Sequence, residues 1–154
     1  MTYEIMRAVP KDAEELLKVQ KLAYKSEAEL YNNFDIPPLK ETSGEITEQF
    51  GTHIFLKAVR QGEIVGTVRA FEEGDTCHIG RLAVRPDMQN KGVGTALLKE
   101  IEKYFSPKRF ELFVGSKSDR NIRLYQKMGY GIFKTAEYGC GDIEIMYMGK
   151  YRTP

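Results

Sequence analysis

The chain has 154 residues, 42% of them apolar, with eight Phe and nine Tyr, which predicts one ordered domain over residues 1–154 with a sizeable core and excludes a disordered chain. Lys and Arg total 23 against 22 Asp and Glu, so no global field recruits nucleic acid or an anionic membrane surface. The two cysteines, Cys77 and Cys140, are far apart and lack metal-ligand spacing, which points to a reducing compartment with no disulfide framework and no bound metal. The amino terminus has no apolar signal region, and no apolar run is long enough to span a bilayer. A cytoplasmic protein is the expectation.

Tyr3–Val9 reads as a short first strand closed by Pro10, a residue suited to the first turn of a helix. Lys11 to Lys25 carries Leu16, Val19, Leu22 and Ala23 at helical spacing, with Asp12, Glu14 and Glu15 in the opening turn. Glu27 to Glu48 contains Pro37, Pro38 and Gly44 and reads as a second helix followed by a loop. Segments of this kind often act as binding loops. From His53 the period changes. Ile54–Val59, Glu63–Phe71 and Thr76–Val84 are strand-like runs separated by turns at Gln61-Gly62 and Gly74-Asp75, which predicts an antiparallel meander. Val93, Leu97, Leu98, Ile101 and Phe105 mark an amphipathic helix stopped before Pro107. Phe110, Leu112 and Val114 supply a further strand, Asp119–Met128 a further helix, and Tyr130–Tyr138 with Ile143–Met148 a final hairpin around Gly139–Asp142. The expected fold is α/β, a mixed sheet with helices packed against it.

The stretch Leu82-Ala83-Val84-Arg85-Pro86-Asp87-Met88-Gln89-Asn90-Lys91-Gly92-Val93-Gly94-Thr95 is a strand end, a tight turn and a helix start. Gly92 and Gly94 let the backbone approach a ligand closely. The unpaired amides of the first helical turn favour an anion such as a pyrophosphate, and Lys91 adds charge. An ordinary glycine turn before a helix has the same spacing. The glycine patterns of dinucleotide-binding folds and of P-loops are both missing.

This segment resembles motif A of the GNAT family of N-acetyltransferases, whose Gln/Arg-x-x-Gly-x-Gly/Ala pattern is matched by Gln89-Asn90-Lys91-Gly92-Val93-Gly94. Asn121-Ile122-Arg123-Leu124-Tyr125-Gln126-Lys127-Met128-Gly129-Tyr130 is similar to the same family's motif B. The resemblance covers nearly the whole chain. It implies a mostly antiparallel mixed sheet with one splayed strand pair, Thr76–Val84 beside Phe110–Val114, holding acetyl-CoA in the gap. Backbone amides from Gln89, Asn90, Lys91, Gly92, Val93, Gly94 and Thr95 would hold the pyrophosphate. The main chain of Leu82, Ala83 and Val84 would pair with the pantetheine arm, which Asn121 would also contact.

The implied reaction is direct transfer of the acetyl group to a primary amine of a small molecule or peptide. Tyr125 resembles the family tyrosine that protonates the leaving thiolate; packing in a helix–sheet seam is its plainer role. For the base, counting back eleven residues from Gln89 lands on His78, where histone-modifying members carry a glutamate. Strict alternation puts His78, Gly80, Leu82 and Val84 on one face of the strand. Helical spacing puts Leu124 and Met128 toward the core, with Asn121 and Tyr125 at the cleft edge. Cys77 or Cys140 as an acyl carrier lacks a paired base. Arg81, Arg85, Lys91 and Lys127 read as solvated charges, some within reach of the coenzyme phosphates, and Glu27, Glu29, Asp35, Glu41, Glu45 and Glu48 as a solvated face, with attraction of a cationic amine as the alternative. A non-catalytic acyl-CoA-binding sensor is the alternative, and the resemblance also admits a homodimer.

Overall fold

The structure, a computed structural model, describes residues 2–138 and 143–153. Strand β1 (Glu4–Arg7) leads through a single 3-10 turn at Pro10–Asp12 into helix α1 (Ala13–Tyr31). Two short helices follow, α2 (Pro37–Lys40) and α3 (Ser43–Gln49), then strands β2 (Ile54–Arg60), β3 (Glu63–Glu73) and β4 (Thr76–Val84). Helix α4 (Val93–Glu102), strand β5 (Arg109–Gly115), helix α5 (Asp119–Lys127) and strands β6 (Gly131–Tyr138) and β7 (Ile143–Tyr151) complete the chain. The turn at Gly139–Asp142, with Cys140, lies outside the described residues.

Helix α1 continues beyond the predicted stop at Lys25. Its inward face runs on through Gln20, Tyr24, Ala28 and Tyr31, and the polar members of that row interrupt the apolar periodicity. Asn32, in the left-handed region at φ 48°, ends it. The stretch read as helix and loop contains α2 and α3 instead. Thr42 and Glu45 form a capping box that starts α3, each side chain bonding the other's backbone amide.

The seven strands form one sheet in the order β1-β2-β3-β4-β5-β7-β6. Every neighbouring pair is antiparallel except β4 and β5. Helix α4 buries Leu97, Leu98 and Ile101 on one sheet face against Leu56, Val68, Cys77 and Ile79, and Tyr125 of α5 joins the same cluster. Helix α1 covers the other face, packing Leu16 and Val19 with Phe55, Ile64 and Ile46 of α3. The expected mixed, mostly antiparallel sheet flanked by helices is what the chain forms.

A buried polar cluster joins α1, α2–α3 and the sheet. The Arg69 guanidinium donates two bonds to Glu41, at 2.9 and 3.1 Å, and one each to Gln20 and Gln49 at 2.8 Å. Glu41 is therefore no part of a solvated face. Its sequence neighbours are charged and polar, and only the tertiary fold brings Arg69 of β3 to it. Burial alone would raise its carboxyl, but hydrogen bonds from Arg69 and Gln20 outweigh that, and its pKa falls below the ordinary 4.5. A lowered carboxyl stabilises the fold above its unfolded pKa, and the contribution is lost as pH falls through the folded value. Removing one partner of such a pair leaves the other charged and buried, at about 3–5 kcal/mol. Arg69→Met is expected to lower the melting temperature by roughly 10 °C at pH 7, read by circular dichroism, and a loss of under about 2 °C would show the cluster to be dispensable.

Candidate active site

Strands β4 and β5 pair over only three rungs, Thr76 with Arg109, Cys77 with Phe110 and His78 with Glu111. Beyond His78 they separate, and β5 continues paired only with β7. Two features act on β4 at this point. In its register with β3, Thr67 faces Ala83 and Arg69 faces Gly80, so Arg81 and Leu82 together stand opposite Val68. The extra residue is a β-bulge. Arg81 sits at φ 51°, a left-handed conformation costing a non-glycine residue about 1–3 kcal/mol.

The bulge reverses the alternation expected for this strand. His78 and Gly80 lie opposite Phe71 and Arg69, on the face where Arg69 packs over Phe55 under α1. After the bulge, Leu82 and Val84 turn to the α4 face, within 4 Å of where a side chain on Gly94 would begin. The four residues thus do not share a face, because one inserted residue shifts a period of two.

At the end of β4 the chain makes a 3-10 turn at Pro86–Met88 and enters α4. Gly92 caps the helix at φ 85° with open space where a Cβ would sit, a conformation that favours glycine. The bond from Ala96 N–H to the Gly92 carbonyl closes the first turn, leaving the amides of Val93, Gly94 and Thr95 as the orphan donors of a helix start. No acidic residue occupies that turn, which suits an anion. A groove of about 390 Å³ runs along these residues. All the residues expected to bind coenzyme line it except Lys91, which is exposed beside it.

The Gln89 side chain bridges the groove walls. Its amide nitrogen donates to the Val84 carbonyl at 3.0 Å, and its oxygen accepts from Arg120 of α5. Arg120, Arg123 and Lys127 line the rim. The sequence reading passed over both arginines, although their spacing of three and then four residues to Lys127 aligns all three on one helical stripe. Arg85 is held by Asp87 at 2.7 Å and Glu63 at 3.0 Å, so its charge belongs to the turn.

The groove leads to a smaller chamber of about 120 Å³ in the gap between β4 and β5. Tyr24, Glu27 and Asn121 line both spaces. The Tyr24 hydroxyl donates to the Leu82 carbonyl at 3.3 Å, occupying part of the β4 edge that β5 abandons. Glu27 accepts from Ser118 Oγ at 2.7 Å and from Asn121 Nδ2 at 3.3 Å. Helices on opposite sheet faces meet here through the opening.

Tyr125 lines the chamber and is buried, with no hydrogen-bond partner for its hydroxyl among the described residues. It anchors α5 to the core as well, while Leu124 borders the groove, so the expected division between core and cleft residues on this helix is partly exchanged. Burial raises the Tyr125 pKa well above 10, with Tyr24 and Glu27 adding to the effect. Burial likewise raises Tyr24 to about 12. Cys77 is fully buried in the core and its thiol is pushed up to about 12, mainly by burial, leaving it protonated and inert.

His78 lies elsewhere. It stacks on Phe71 with ring centres 5.0 Å apart and lines a recess of about 380 Å³ on the α1 face, with His53, Arg69 and Arg81. The recess and the chamber share Ile79, Gly80, Arg81 and Phe113, so the strand gap is approached from both sides. Among the described residues no group of three His, Cys, Asp or Glu side chains could hold a metal ion, and no helix is long and apolar enough to cross a membrane.

Residues 14–130 match the family model described as Acetyltransferase (GNAT) family. The chain belongs to this family. It is 33% identical over 79 residues to the uncharacterized protein YdhI of Bacillus subtilis (strain 168), an overlap of 49% of this chain and 48% of that protein, so the match spans about half the length of this curated relative. The PaiA N-acetyltransferase of Thermoplasma acidophilum, solved in complex with coenzyme A, superposes with a TM-score of 0.82 at 17% identity, over 99% of this chain and 100% of that one. A GNAT-family acetyltransferase of Streptococcus pneumoniae gives 0.76 at 24% identity, over 98% and 100%. At these identities the superpositions establish the GNAT fold.

His53 gives a direct check on the recess. Burial and the nearby Arg69 charge lower its pKa below 6.5, so its imidazole is neutral at pH 7. A nitrogen-detected NMR titration is expected to place the His53 midpoint below 6.5, and a midpoint above 6.5 would contradict the packing described.

Proposed function

We propose that this GNAT chain transfers the acetyl group of acetyl-CoA directly to a primary amine. The observation that carries the reading is the continuity of three features: the orphan amides of α4, the edge of β4 left without a partner, and Tyr125 in the gap. Together they form one path from an anion site to a buried proton donor. The groove fits the coenzyme: it has free amides, an open Gly92, a rim of three cations and no acidic residue in the first helical turn. When bound, acetyl-CoA supplies an activated thioester.

Each residue then has a defined task. The amides of Val93, Gly94 and Thr95 hold pyrophosphate oxygens, and Arg120, Arg123 and Lys127 neutralise the remaining phosphate charge. The backbone of Leu82–Val84 orients the amide-bearing arm, with Asn121 and Glu27 on the facing wall. Tyr125 keeps its proton at neutral pH. Because its pKa is raised well above that of a thiol, near 8.5, full transfer to a thiolate is uphill. Tyr125 therefore serves the departing sulfur chiefly as a hydrogen-bond donor, as preorganised donors do toward developing charge. His78, in the last paired rung, takes the amine proton on the recess side. A non-catalytic sensor would have no use for an unpartnered tyrosine at this place.

Calorimetric titration with acetyl-CoA is expected to give saturable binding that Gly92→Glu abolishes; absence of binding by the folded wild type would overturn the reading. With an acceptor in hand, Tyr125→Phe is expected to lower kcat by roughly 10²-fold or more while coenzyme affinity is kept. His78→Ala is expected to cost about 10²-fold, and a loss of under about threefold would assign deprotonation to solvent. Since Tyr24 titrates near 12 and Tyr125 well above 10, the rate should rise with pH as the amine deprotonates and show no falling limb up to pH 9.5. A descending limb centred below that would remove tyrosine from the donor role.

A further inference from the structure

Arg81 is the cation at the strand gap that the fold leaves with capacity to spare. The Glu41 carboxylate beside it has about four acceptor positions, and all are taken. Gln20 at 2.9 Å and Arg69 at 3.1 Å bond Oε1, while Arg69 at 2.9 Å and Gln49 at 3.3 Å bond Oε2. Arg81 approaches Oε1 only to 3.7 Å, as an ion pair without a hydrogen bond. Its Nε is buried with no hydrogen-bond partner, and no bond to its terminal nitrogens exists among the described residues. Two guanidinium groups therefore share one carboxylate, and the Arg81 charge is left without a hydrogen-bonded counterion on the recess side.

That charge lies where an acceptor must pass. Arg81 is among the few residues lining both the chamber and the recess, and the bulge holds its backbone at φ 51° between them. On the recess side no acidic group offsets it, since Glu111 is paired with Arg109 at 3.1 Å; Glu27, bonded only to the neutral Ser118 and Asn121, keeps its charge on the chamber side. Five rings also line the recess, those of Phe71, His53, His78, Phe113 and Tyr147.

We infer that the acceptor is a small amine carrying a carboxylate, which Arg81 binds while the amine faces the strand gap, and that polycationic amines are poor substrates. This rests on the acetyl-transfer reading and narrows it. A guanidinium with unused donors recognises a planar oxyanion, and a positive charge at the acceptor side repels a polyamine.

Acetyl-CoA binding by wild type and by Arg81→Gln isolates the parent reading: equal affinity is expected, and loss in the wild type would sink acetyl transfer itself. Coenzyme release is then followed with L-phenylalanine against L-phenylalaninamide, and with spermidine. The carboxylate member should show kcat/KM about tenfold or more above its amide, Arg81→Gln should bring the ratio close to one, and Arg81→Lys should restore part of it. Binding is read separately by chemical-shift titration with 3-phenylpropanoate against 3-phenylpropanamide, on protein with and without coenzyme A. Selective saturation by the carboxylate, weakened about tenfold in Arg81→Gln, supports the inference. Equal binding of acid and amide, a preference for spermidine, or a selectivity that survives Arg81→Gln overturns it.

Discussion

The pairing of β4 with β5 stops after His78 meets Glu111, and the site is a consequence of that early stop. Strands left without a neighbour expose backbone groups that need partners. Here the Tyr24 hydroxyl supplies one, to the Leu82 carbonyl, and the rest of the β4 edge stays available to an extended ligand arm. The same opening lets α1 and α5, which cover opposite faces of the sheet, touch through Glu27, Ser118 and Asn121. Closing the strands would remove the chamber, the path from the groove and the contact between these helices together.

Rigidity around the opening comes from polar groups as much as from the core. Arg69 and Glu41 are both nearly fully buried, an arrangement that is stable only when each donor and acceptor is matched. Gln20 and Gln49 complete the match. They thereby lock α1 and the segment after it to β3, next to the recess. Arg81 enters the arrangement last and finds the carboxylate full. A cluster that fixes the scaffold thus also sets the electrostatic character of the acceptor side, while the coenzyme side has its own cations on α5.

Legibility in the sequence followed distance along the chain. The strand end, turn and helix start from Leu82 to Thr95 are contiguous, so their residue types alone predict a ligand-facing backbone, and the groove is lined by all of them except Arg85, Pro86, Asp87 and Lys91. Tyr125 and Asn121 stood out through the resemblance to the family's motif B, and helical spacing gave them a common side. The extent of α1 was not, since Gln20, Glu27 and Tyr24 are polar residues on its working face, and a search for apolar periodicity ends too soon. Arg120 and Arg123 carried a visible signal in their alignment with Lys127, but a basic stripe on a helix is indistinguishable from a solvated face until the groove beside it is known.

By itself, the sequence determined the order of the strands and of the helices from Val93 onward, and the local chemistry of the turn into α4, because those depend on neighbours within a few residues. The tertiary structure alone decided which face His78 presents, since a bulge at Arg81 and Leu82 exists only in register with β3. It alone decided that Glu41 is buried rather than solvated, because its partners come from α1, α3 and β3. The standing of Arg81 was settled in the same way: a charge is left over only after the hydrogen-bond capacity of its neighbours has been filled, and that count is a property of the folded arrangement.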